Sequence, residues 1–147
     1  MSFYTRALSV MMVSFVLTAV ASAEVPLLSK ASLEKAPEIV VGEVAKIYQR
    51  DPTGAGFRRV DYLAEVNVST VQKSVQKSVQ KGSKVQAGDV IYVHYWNQIG
   101  ERPERWVGTR GHHSECLKEG ATVRLYLRLD ERGRREILLP NGAEPIK

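Results

Sequence analysis

Ile39-Val40-Val41-Gly42-Glu43-Val44-Ala45-Lys46-Ile47-Tyr48 and, after one turn, Val60-Asp61-Tyr62-Leu63-Ala64-Glu65-Val66-Asn67-Val68-Ser69 decide the fold class of this chain. The first stretch is β-branched and continuous through Val41, and its apolar positions resume at Val44, Ile47 and Tyr48. The break at Gly42 predicts a bulge or bend inside one strand over residues 38–49. The second stretch alternates cleanly. Val60, Tyr62, Ala64, Val66 and Val68 fall on one side; Asp61, Glu65, Asn67 and Ser69 fall on the other, with Leu63 as the exception. Between the two, Asp51-Pro52-Thr53-Gly54-Ala55-Gly56 is turn chemistry.

Further along, Gln86-Ala87-Gly88-Asp89 reads as a turn into a third strand over residues 90–96, dense in β formers. In the fourth strand Val123, Leu125, Leu127 and Leu129 face one way, and Thr122, Arg124, Tyr126 and Arg128 the other. Asp130-Glu131-Arg132-Gly133 makes a hairpin turn into a fifth strand over residues 135–139, stopped by Pro140-Asn141-Gly142. Five strands without a long amphipathic helix predict an all-β domain. A bent first strand, a long second strand and the need to remove sheet edges predict a small five-stranded OB-like barrel over residues 38–140. An open sandwich is the alternative. Residues 24–37, with two prolines and weak helical spacing at Leu28, Ser32 and Leu33, read as a flexible lead-in, and residues 141–147 as a C-terminal tail. The repeat Val71-Gln72-Lys73-Ser74, Val75-Gln76-Lys77-Ser78, Val79-Gln80-Lys81 suits a short helix, a strand tail or a polar loop.

The chain opens with a short polar segment carrying Arg6. An uncharged run from Ala7 to Val20 follows, and then Ala21-Ser22-Ala23. These are the three parts of a cleavable signal peptide over residues 1–23. The run is shorter than the ~20 residues a spanning helix needs. The expectation is an exported protein, periplasmic or secreted, that begins at Glu24 and keeps no membrane span. Removing the leader takes away one arginine and no acid, so the net charge of +5 becomes +4, with 20 basic and 16 acidic residues. That mixed balance lacks the clustered excess of a nucleic-acid binder, so no nucleic-acid partner is expected. An anionic polysaccharide, or an envelope or extracellular protein, is the kind of partner it suits. Cys116 is the single cysteine, so no internal disulfide is expected and the core must hold the domain.

Three segments carry a family resemblance. Val85-Gln86-Ala87-Gly88-Asp89-Val90-Ile91-Tyr92-Val93 resembles the turn-to-strand passage of netrin-like and metalloproteinase-inhibitor-like OB domains. Leu117-Lys118-Glu119-Gly120-Ala121-Thr122-Val123-Arg124-Leu125-Tyr126-Leu127 is similar to the strand before their last hairpin, and Val41-Gly42-Glu43-Val44 to their opening strand. The likeness covers roughly residues 38–140 and is one of turns and strands. The paired cysteines of those domains are missing here, as is the N-terminal cysteine with which the inhibitors reach a metal. These departures count against protease inhibition, and the resemblance implies a small extracytoplasmic binding or accessory module without naming its ligand.

The segment from His94 to Cys116 concentrates the chemistry: all three histidines, both tryptophans and the cysteine. Loops on a rigid scaffold are where binding residues gather. The first reading is a ligand site built from Trp96, Trp106, His112, Arg105 and Arg110, because tryptophan faces beside arginines grip sugars and anionic groups. The alternative is a zinc or copper site using His94, His112, His113 and Cys116, an imidazole–thiolate set. Under that first reading no cofactor is needed. A third reading makes the protein a structural component of the cell envelope. The outer strip Arg124, Tyr126 and Arg128 reads as a solvated strand face. No Gly-x-Ser-x-Gly elbow is present, and Glu101 and Glu104 sit among arginines that keep them ionised, so no enzymatic activity is expected.

Overall fold

The computed structural model describes residues 26–50, 58–74, 84–99 and 117–147. In chain order they form α1 (Lys30–Leu33), β1 (Glu38–Gln49), β2 (Arg58–Ser74), β3 (Val90–Ile99), β4 (Thr122–Leu129), β5 (Arg135–Ile137) and β6 (Ala143–Pro145). Strand order is β1-β2-β3-β5-β4-β6, and β1 also pairs with β4. The sheet therefore closes into a five-strand ring, β1-β2-β3-β5-β4 and back to β1. β3 and β5 are parallel; the other pairs are antiparallel. This is an all-β, OB-like barrel.

Closure depends on β1, which has partners on both edges. Residues 38–43 pair with β4 while the whole strand pairs with β2. Register shifts fall between Ile39 and Val40, between Val41 and Gly42, and between Val44 and Lys46, so the strand is bent where the glycine was expected to bend it. A side chain at Gly42 would meet Asn67 O at 2.5 Å and Val66 Cγ1 at 2.8 Å. Only glycine lets the two backbones approach so closely there.

The inward faces follow the period-2 patterns. Val60, Ala64, Val66 and Val68 of β2, Ile91, Val93 and Tyr95 of β3, and Val123, Leu125 and Leu127 of β4 are all buried. Val40 and Val44 of β1 and Ile137 of β5 complete this interior. Leu129, expected on the same inward row, is exposed. It lies at the last β4–β5 pair, opposite Arg135, beyond the end of the core.

The two chain ends behave differently from their sequence reading. Residues 26–37 are a docked strap, not a loose lead-in. Leu33 and Ala36 are each 2% exposed and pack on Ile39 and Tyr126, with Leu28 and Leu138 at the margin. Asn141 clamps the strap: its Oδ1 accepts from Leu28 N at 2.9 Å and its Nδ2 donates to Leu28 O at 3.0 Å. Lys73 Nζ donates to Glu34 O at 2.9 Å from the far side. Residues 141–147 are likewise not merely a tail, because Ala143–Pro145 pairs with Val123, Arg124 and Leu125. β2 runs to Ser74, so the first unit of the repeat is strand; residues 75–83 lie outside the described residues.

Candidate functional site

At one end of the barrel β1 finishes, β2 begins and β3 parts from β5. β3 and β5 are paired only at Val93 and His94, after which β3 runs on alone with β2. The divergence leaves a groove of about 640 Å³ between the β2–β3 ribbon and the β4–β5 hairpin.

Its floor is aromatic. Tyr62 and Tyr95 are cross-strand partners on the inward face, and their rings stack at 4.9 Å between centroids with 11° between planes. Directly paired aromatics on one face are within reach of each other by sheet geometry alone. Burial pushes the Tyr95 phenol well above the ordinary tyrosine range. On the outward face of β3 the half-buried Trp96 carries the Arg59 guanidinium 4.6 Å above its ring. Arg59 is held there by Asp61, with Nε to Oδ1 at 2.9 Å and Nη2 to Oδ1 at 2.8 Å.

The walls are mostly cationic. Arg50, Arg59, Arg128 and Arg134 line the groove, against the carboxylates of Asp61 and Glu136. Glu136 accepts from Arg128 at 3.1 Å. Just outside, Asp130 accepts from Arg134 Nε at 2.7 Å and from the backbone N–H groups of Arg132 and Arg134 at 2.8 Å. The backbone bond from Arg134, with its guanidinium and the Arg132 N–H behind it, holds the Asp130 carboxyl below its usual range. The guanidinium groups of Arg59, Arg128 and Arg134 are half exposed, so they remain presentable to a ligand. A groove that combines the Tyr62–Tyr95 stack, Trp96 and several guanidinium groups suits a ligand that is anionic and has a flat or apolar face.

Comparison of the chain with known protein families, curated proteins and solved structures finds no match. The site therefore stands on its geometry.

Of the residues singled out from sequence, Trp96 and His94 both line the groove. His94 sits on β3 opposite Leu63 of β2 and Glu136 of β5. Trp106, Arg105, Arg110, His112, His113 and Cys116 lie outside the described residues, as do Glu101 and Glu104. Among the described residues no three His, Cys, Asp or Glu side chains gather as metal ligands. The strip on β4 is not a simple solvated face. Tyr126 is buried under the strap, Arg124 meets Glu144 at 3.6 Å, and Arg128 meets Glu136.

Sequence reading missed Tyr62, Tyr95, Arg50, Arg59 and Arg134. The available signal was the pairing register: once β2 and β3 are aligned as a hairpin, Tyr62 falls opposite Tyr95 and Asp61 opposite Trp96.

Proposed function

We propose that this protein is an exported, non-enzymatic binding module that takes an acidic saccharide into the groove at the mouth of its barrel. The observation that carries the reading is Trp96 with the Arg59 guanidinium 4.6 Å above its ring, at the edge of a groove lined by three further arginines. Aromatic faces stack on the apolar faces of sugar rings, and arginine forks pair with carboxylate or sulfate groups. OB-type barrels bind oligosaccharides and oligonucleotides across this part of the sheet, which is support by analogy of fold. The leader-like residues 1–23 and the likeness to netrin-like domains both favour an extracytoplasmic partner over a nucleic acid. The groove carboxylates are tied to arginines, Asp61 to Arg59 and Glu136 to Arg128, which suits charge balance better than proton transfer.

Calorimetric titration of the exported protein with uronic-acid oligosaccharides, neutral oligosaccharides of equal length and a single-stranded oligonucleotide tests this. The acidic sugars should bind best. Trp96→Ala and Arg59→Ala should each weaken them about tenfold or more, equivalent to ~1.4 kcal/mol. Equal binding of neutral sugars, or tighter binding of the oligonucleotide, would overturn the reading.

A further inference from the structure

The groove opens onto a sheet face whose outward side chains form rows fixed by register. Across β1, β2 and β3 the rows are Lys46–Glu65–Tyr92 and Tyr48–Leu63–His94; Asp61 and Trp96 follow at the groove. Tyr92 is 51% exposed and Tyr48 41%, a large share for aromatic side chains on a paired sheet. Tyr48 is held in place. Its hydroxyl donates to Glu65 Oε2 at 3.1 Å, and Lys46 Nζ stands 5.2 Å from its ring centroid. That hydrogen bond to Glu65 raises the Tyr48 phenol above its ordinary range.

Charge is distributed unevenly along this surface. The arginines gather in the groove, while the open face carries one lysine, Lys46, with Glu65 as its cross-strand partner and Glu119 also near Tyr48. Along β3, Tyr92, His94 and Trp96 point the same way. Two residues of strand advance about 6.6 Å, so Tyr92 and Trp96 are about 13 Å apart along the strand. A single sugar ring does not reach both.

Resting on the groove as the acidic subsite, we infer a second subsite on the outer face of β1, β2 and β3. Tyr92 is its platform and Tyr48 its flank, and it holds the uncharged continuation of the same saccharide chain. The ligand is then an oligosaccharide with an acidic end and neutral rings behind it. The two surfaces are continuous, since Tyr48, Leu63 and His94 line the groove and also form the middle row of the face. Ordered aromatic side chains lose little entropy on contact, so each added ring that reaches Tyr92 strengthens binding.

The test uses the protein as exported in the proposed reading and the aldouronic acids, in which one uronic acid is carried on a growing chain of neutral xylose units, with glucuronic acid as the shortest probe. Affinity should rise at least tenfold from glucuronic acid to the longest member. Tyr92→Ala should bring the long members down to the affinity of glucuronic acid, and Tyr92→Phe should restore the gain. Arg59→Ala should weaken every length. Length-independent affinity with Arg59→Ala still weakening all probes overturns the second subsite and leaves the groove standing. No binding of any probe overturns both. Self-association in light scattering that Tyr92→Ala abolishes would assign the face to a second copy of the chain and also overturn the inference.

Discussion

Gly42 lies where β1 is paired on both edges, opposite Val68 of β2 and Val123 of β4. A methyl group there would overlap Asn67 O and Val66 Cγ1, and at least one of those contacts is unyielding backbone. Gly42→Ala should therefore cost on the order of 2 kcal/mol, read as a lower denaturation midpoint with an unchanged slope. Tyr95 predicts a pH dependence. Its phenol is raised in the fold by burial, so the unfolded chain ionises first. Its contribution is complete below the ordinary tyrosine value near 10 and falls as pH climbs beyond that value. Denaturation midpoints measured from neutral to strongly alkaline pH should drop at the alkaline end, and Tyr95→Phe should flatten the drop. Gly42 was legible in sequence because it broke an apolar run. Tyr95 was not, because its stacking partner Tyr62 is 33 positions earlier and only the register brings them together.

At the scale of elements, the strands with clear alternation were readable and the short pieces were not. β1 has the expected bounds, and β2, β3 and β4 are each built on the expected periodic segment. The strap and β6 have only a four-residue helix and a three-residue strand, too short to carry a period. Each is held by what it touches. Tyr126 shows the consequence: read as an outward residue of β4, it is buried because Leu33 and Ala36 cover it. Leu33→Ala should cost about 2 kcal/mol, at the low end for a buried leucine because the cluster is peripheral and can collapse. Thermal unfolding measures that loss. A variant indistinguishable from the unaltered protein would mean that the strap adds nothing to stability. The arginine-rich hairpin between β4 and β5 depends on Asp130, whose carboxylate organises the turn through two backbone N–H groups and one guanidinium.

At the scale of the molecule, barrel closure is a long-range event. The Glu38 carboxylate accepts from Arg135 Nε at 2.8 Å across 97 residues of chain, and β3 meets β5 in parallel although β4 lies between them in sequence. Periodicity names the faces of strands but not their neighbours, so the predicted barrel rested on edge removal and its strand order became visible only in the fold. The groove follows from that order. It draws residues from β1, β2, β3, β4 and β5, and no contiguous motif announces it. His94 and Trp96 were found because β3 leads into the segment richest in histidine and tryptophan. Among the described residues no helix is long and apolar enough to cross a membrane. The most direct test is a nitrogen–proton correlation titration of the protein with an aldouronic acid. Saturable shifts at Arg59, Tyr62, His94, Trp96 and Glu136, with the strap and β6 unmoved, are the predicted result. Shifts confined to the strap and β6, or none at saturating sugar, would contradict the groove as the binding site.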